Sequence, residues 1–167
     1  MSTTGLVTDF SNLASQKWQI TNDGVMGGLS ESHFQINADG NAVFLGEVSL
    51  KNNGGFASVK NHESLNLEGF KSVRLHVKGD GKRYSFRLQT GENGRVHPWS
   101  YEHRFNTESG LWMEAELPLI NFTATYRGSV PSNVPKLDPS EIVRYGFLIS
   151  DKQEGPFRLE ISKIEAV

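Results

Sequence analysis

Along most of the chain, apolar and polar residues alternate one for one. In Lys71–Lys78, Val73, Leu75 and Val77 alternate with Arg74, His76 and Lys78; in Arg83–Gln89, Tyr84, Phe86 and Leu88 alternate with Arg83, Ser85, Arg87 and Gln89. Period two is the mark of a strand with one buried face and one wet face. Trp99, Tyr101, His103 and Phe105 form one such set, and Leu111, Met113, Ala115 and Leu117 form the next. Tyr145, Phe147 and Ile149 predict a late strand, and Phe157, Leu159 and Ile161 the last one. Ala42–Leu50 is apolar at nearly every step, which predicts a strand covered on both sides. Turn chemistry separates these runs. Asp39-Gly40-Asn41 predicts a hairpin, and Asn52-Asn53-Gly54-Gly55 and Gly79-Asp80-Gly81 are further breaks.

No window repeats apolar residues at helical spacing for three turns. Asp138-Pro139-Ser140-Glu141 predicts one short helical turn, with Asp138 as cap, and Phe10–Trp18 is a candidate for a second. About nine or ten strands at this spacing predict a sandwich or barrel. The expected fold is therefore all-β: an antiparallel β-sandwich of jelly-roll type with at most two short helices. The longest stretch without a pattern is Phe122–Lys136, read as either a functional loop or an ordinary crossover between sheets.

Composition narrows the functional classes. The chain has 167 residues, the size of a single domain spanning 1–167, and it contains no cysteine. This excludes a disulfide framework, a thiol nucleophile and cysteine-ligated metal. The net charge is −2 and the pI about 6.2, with no basic stripe, so nucleic acid is not an expected partner. No apolar run is long enough to cross a bilayer as a helix. The first residues, Met-Ser-Thr-Thr-Gly-Leu-Val-Thr-Asp-Phe, have neither the basic start and apolar core of a signal peptide nor the Arg-rich composition of a mitochondrial transit peptide. The expectation is a cytoplasmic protein.

A search for catalytic chemistry returns nothing above background. There is no Gly-x-Ser-x-Gly elbow, no P-loop and no dinucleotide fingerprint. His33, His62, His76, His97 and His103 are scattered, and Asp23, Asp80 and Asp151 read as separate surface turns. No enzyme activity, cofactor or metal is expected. Trp18, Trp99 and Trp112 are read first as core residues, with a sugar-stacking platform as the alternative, and Trp112 is placed at the core edge. Two groups are candidates for binding. Asn22 and Asp23 precede Gly24-Val25-Met26-Gly27-Gly28, a loop able to bring backbone close to a ligand. Arg83, Arg87 and Gln89 share one strand face. The two arginines need an acidic or aromatic neighbour, and Trp99 and Tyr101 on the next strand are candidates by stacking. Arg127, in the long loop beside Gly128, completes a proposed cluster of Asn22, Asp23, Met26, Arg83, Arg87, Tyr101 and Arg127.

Taken together, these motifs resemble the complex I intermediate-associated protein family. The resemblance is carried in order by Asn22–Ser30, Gly54–Val59, Gly79–Tyr84, Leu117-Pro118-Leu119 with Phe122, Arg127-Gly128, Gly146–Ile149, and Gly155-Pro156-Phe157 with Leu159–Ile161. It implies a galactose-binding-like jelly roll and an assembly-factor or chaperone role through a protein partner, with a respiratory-complex subunit as the candidate. Without a transit peptide, the chain looks like a stand-alone bacterial member. The alternative is a module that binds a carbohydrate or an anionic metabolite near the Gly-rich loop.

Overall fold

The alternating runs of the sequence form strands whose apolar faces point inward, although Trp99 and Leu111, the first members of two runs, fall outside the strands and Leu111 is exposed. The structure is a computed structural model that describes residues 5–11, 17–22, 30–51, 55–126 and 129–167. The described residues form thirteen strands: β1 Gly5–Thr8, β2 Trp18–Asn22, β3 Glu31–Ile36, β4 Ala42–Val48, β5 Ala57–Asn61, β6 Ser72–Lys78, β7 Arg83–Glu92, β8 Arg95–Val96, β9 Ser100–Asn106, β10 Trp112–Pro118, β11 Thr123–Thr125, β12 Ile142–Ile149 and β13 Gly155–Ala166. They build two sheets. The first runs β10-β6-β13-β4-β3, with β1 added on β13; the second runs β11-β9-β7-β12-β5-β2, with β8 added on β7. All of these pairings are antiparallel.

The inner faces close on a single core. Val73, Leu75, Val77, Phe44, Leu159 and Ile161 of the first sheet meet Tyr84, Phe86, Leu88, Tyr145, Phe147 and Ile149 of the second, and all are buried. Phe147 packs edge-on against Phe86, with ring centroids 5.3 Å apart. In β13 the register shifts between Ile161 and Lys163. This bulge moves the inward phase by one residue, so Ile164 and Ala166 rejoin the core.

Local chemistry matches the predicted turns where they are described. Gly40 takes φ +80° between β3 and β4, as the hairpin requires. Asp138 Oδ1 accepts from the Ser140 backbone N–H at 2.9 Å and from its hydroxyl at 2.6 Å, and this makes a turn, not a helix. The one short helix among the described residues is a 3-10 turn at Leu119–Asn121. The Phe10–Trp18 candidate falls largely outside the described residues. No helix among the described residues is long and apolar enough to cross a membrane.

Two further expectations need correction. Trp112 lies on the outer face of β10, not at the core edge: it is 47% exposed and sits beneath the Lys78 ammonium, 5.4 Å from the ring centroid. Met113, Ala115 and Leu117 hold the inward phase, so their neighbour in sequence must point out. The stretch Phe122–Lys136 is not wholly irregular either, because Thr123–Thr125 add an edge strand to Ser100–Glu102.

The outer face of the first sheet is an ordered charge ladder. Arg74 meets Glu116 at 2.9 Å, His76 meets Glu114 at 3.5 Å and also Glu165, and Lys78 meets Glu160 at 3.5 Å. Burial pushes the Glu160 carboxyl up. The amides of Asn41 and Asn37, the charge of Lys78 and a hydrogen bond from Arg158 outweigh burial and hold it below its usual value. Glu165 has the same balance, with His76 and Lys163 opposing burial.

Two outcomes are expected. Phe147→Ala costs about 3–5 kcal/mol in chemical denaturation, as truncation of a buried aromatic does; a cost below about 1 kcal/mol would contradict its place in the core. Both Glu160 and Glu165 have depressed folded pKa values, so their contribution is present above the unfolded value of 4.5 and is lost as pH falls through the folded one. Melting temperature should therefore fall as pH drops below about 4.5, and Glu160→Gln should flatten that slope while lowering stability at pH 7. An unchanged slope in the variant would show that Glu160 carries none of the acid sensitivity.

Candidate functional site

The second sheet presents a different outer face. Alternation along β7 sends Arg83, Ser85, Arg87 and Gln89 outward, and the register sets Glu102 of β9 directly beside Arg87. On the other side Arg87 is paired with Gly146 of β12, and Gly146 in turn with Lys60 of β5. A Cβ at Gly146 would stand 1.9 Å from the Val59 carbonyl oxygen and 2.8 Å from the Lys60 Cα. Only glycine fits there, and the face between Arg87 and Lys60 is bare backbone. Arg144 lies two residues earlier on β12, paired with Gln89, and so faces the same side.

The arginines are met by acids, not aromatics. Arg87 contacts Glu102 Oε2 through Nε at 3.2 Å and a terminal nitrogen at 3.1 Å. Arg104 reaches Glu102 at 3.8 Å and Asp151 at 3.2 Å, and Arg83 meets the other oxygen of Asp151 at 3.2 Å. The Gln153 side chain clamps the Arg83 backbone, accepting from its N–H at 2.9 Å and donating to its carbonyl at 2.6 Å. Arg83 thus ties β7 to the turn after β12. Asp80 is also used internally, by the Tyr84 hydroxyl at 2.9 Å and the Arg158 N–H at 2.9 Å.

Two cations on this face have no such partner. Lys60 and Arg144 make no ion pair among the described residues, in contrast to the ladder on the first sheet. Burial pushes the Lys60 ammonium below its ordinary value, and the charges of Arg87 and Arg144 push it further. His62 is lowered in the same way, by burial and then by Arg144 and Lys60.

The candidate residues divide among three places. Arg83 and Arg87 share the sheet face. Asn22, at the end of β2, accepts from the Ser32 hydroxyl at 2.7 Å, across to the other sheet. Tyr101 is paired with Leu88 and points to the buried side; its hydroxyl donates to the Pro135 carbonyl at 2.6 Å and accepts from Trp99 Nε1 at 3.0 Å. Asp23, Met26 and Arg127 lie outside the described residues.

Tyr101 instead forms part of an apolar cleft of about 980 Å3, bounded by the Pro118–Phe122 turn, β11 and residues 134–139. Leu119, Phe122 and Leu137 pack onto the core from its wall. Ile120, at its lip, is 92% exposed. A shallower depression shares Thr123 and Ala124 with it and is bordered by Val130, which is 74% exposed. The sequence reading missed Lys60, Arg144 and Ile120. Lys60 and Arg144 are polar positions on separate strands that only the register brings together, and Ile120 looks like one more core residue after Leu117 and Leu119.

Comparison with known proteins places this architecture. The chain is 29% identical over 175 residues to an uncharacterised protein of Schizosaccharomyces pombe, covering 93% of this chain and 80% of that one. It is 26% identical to the mouse protein named complex I intermediate-associated protein 30, mitochondrial, over 89% of this chain and 51% of that one. A Caenorhabditis elegans protein named as a probable member is 28% identical over 77% of this chain and 44% of its own length. The chain thus spans about half the length of these two animal relatives. Among solved structures, the family 11 carbohydrate-binding module of a Clostridium thermocellum cellulase superposes with a TM-score of 0.77 at 13% identity, over 100% of this chain and 95% of that one. The family 30 module of another cellulase from that organism gives 0.64 at 12%, over 99% and 98%. At such identity the likeness concerns the fold, a carbohydrate-binding-module jelly roll. The family description "Complex I intermediate-associated protein 30 (CIA30)" matches residues 8–161, and the chain belongs to that family.

Proposed function

We propose that this domain is a non-enzymatic binding module that acts as an assembly factor, holding a protein partner at the apolar cleft beside β11. The observation that carries the reading is Ile120, 92% exposed on the lip of a cleft whose walls are Leu119, Phe122, Val134, Pro135 and Leu137. Burying such a side chain is worth about 1.5–3 kcal/mol, so a partner with an apolar segment gains most by covering it. Val130 extends the same surface across β11. The names of the animal relatives support a respiratory complex I intermediate as the source of the partner.

Carbohydrate binding has less support. The outward positions of the central strands are Arg87, Gln89, Arg144, Gly146, Lys60 and their polar neighbours, with no aromatic ring among them to stack on a sugar.

The test is affinity capture from the native host with quantitative mass spectrometry, comparing the wild type with Ile120→Asp and with Lys60→Met. The expected result is enrichment of a respiratory-complex subunit that falls about tenfold with Ile120→Asp, a loss of about 1.4 kcal/mol, and is retained with Lys60→Met. An exposed substitution should leave stability within about 0.5 kcal/mol. Failure to enrich any such subunit, or enrichment indifferent to Ile120, would sink the reading.

A further inference from the structure

The two outer faces of the sandwich handle charge in opposite ways. On the first sheet each cation described above has a carboxylate beside it. On the second, the acids paired with Arg83, Arg87 and Arg104 among the described residues are Glu102 and Asp151, and both are already shared or engaged by arginines at the β9 side. The imbalance is concentrated at Lys60 and Arg144. The row of Lys60 contains Gly146, which projects nothing, and Gln19, which is neutral, and Arg144 is paired with Gln89, also neutral. Glu92 lines a depression with His62 and Arg144 at the strand end but makes no ion pair with either among the described residues.

The register sets the dimensions. Lys60 and Arg87 flank Gly146 on adjacent strands, so their Cα atoms are two strand spacings apart, about 10 Å. A group resting on the Gly146 backbone lies between them, with Arg144 next along the same strand. Glu102 occupies Nε and one terminal nitrogen of Arg87, which fixes the guanidinium and leaves its other terminal nitrogen available. Half-buried like charges held this close oppose folding unless something answers them. Burial and the two arginines already press on the Lys60 charge. Arg87 is already paired with Glu102, which leaves two cations, and a single carboxylate would answer only one of them. A phosphate dianion answers two, and its oxygens fit both a guanidinium fork and an ammonium.

We propose that Lys60, Arg87 and Arg144, arrayed about the bare backbone of Gly146, form a binding site for a phosphate dianion. The site is separate from the apolar cleft and does not depend on the protein-docking reading. The phosphate could be carried by a soluble metabolite or by a lipid headgroup, and the experiment separates the two sources.

The probes are inorganic pyrophosphate, followed by calorimetric titration, and phosphatidic acid vesicles, followed by co-sedimentation, both at low salt and again at 0.5 M sodium chloride. Saturable binding of pyrophosphate by the wild type, weakened about tenfold or more by Lys60→Met and by Arg144→Gln, supports a soluble ligand. Binding to vesicles alone, with the same sensitivity, supports a lipid headgroup. High salt should weaken either one. Without ligand, Lys60→Met should melt on the order of 2–4 °C above the wild type, because it removes a half-buried charge beside two others; pyrophosphate should raise the melting temperature of the wild type and not of the variant. The proposal is overturned if neither probe binds the wild type, or if binding persists undiminished in both variants. It is overturned equally if Lys60→Met melts below the wild type, since Lys60 would then be a stabilising part of the fold.

Discussion

Two sheets bury their inner faces against each other, and this constraint decides the position of every other group. Strand alternation leaves no choice: once Val73, Leu75 and Val77 turn inward, Arg74, His76 and Lys78 must turn out. Every charge in a central strand is therefore placed on one of two outer faces, where it has to be answered by a neighbour one strand away, by solvent or by something bound. The first sheet answers with Glu114, Glu116, Glu160 and Glu165, aligned by register with the basic positions of β6. The second sheet answers its β9 edge with Glu102 and Asp151, while Lys60 and Arg144 in its middle make no ion pair among the described residues.

Hydrophobic alternation made most of this fold legible before any coordinates. Among the strands with three or more inward apolar residues, β6, β7, β10, β12 and β13 appear where Val73–Val77, Tyr84–Leu88, Met113–Leu117, Tyr145–Ile149 and Phe157–Ile161 place them. What escaped was structure without an apolar signature. Thr123-Ala124-Thr125 is a strand because Ser100–Glu102 offers it an edge, which no local pattern records. The bulge after Ile161 is invisible because a single inserted residue resembles the end of a strand. The expectation for Trp112, the core edge, rests on its place between Gly110 and an alternating strand. Its true direction follows from Met113 and Ala115, its immediate successors, and their phase outranks the hydrophobicity of one ring.

The candidate site was legible in part. That Arg83 and Arg87 share a face follows from period two, and the structure agrees. Their partners could not be read, because Glu102 and Asp151 come from a neighbouring strand and a distant turn. Tyr101 looked like a stacking partner from its place on the next strand. Its register partner is Leu88, so it faces inward and ties the segment at Pro135 to β9. Lys60 and Arg144 carried no motif at all. They become a pair only when β5 and β12 lie side by side with Gly146 between Lys60 and Arg87, and such a relation exists only in the sheet.

The same fold frames both proposed surfaces, and it favours neither chemistry by itself. The cleft beside β11 is apolar because the Pro118–Phe122 turn and residues 134–139 close over the end of the sandwich without filling it, leaving Ile120 in water. The sheet face is basic because alternation exposes what the strands carry and Gly146 keeps the middle of the face low. A side chain at Gly146 would have to displace the β5 backbone, so the floor between Lys60 and Arg87 is set by strand packing as much as by any ligand. That distinction separates the two halves of the site. Gly146 belongs to the fold whatever binds above it. Lys60, pressed by burial and by two arginines, makes no ion pair among the described residues, and we take a residue of that kind to be explained by what it meets more than by what it holds together.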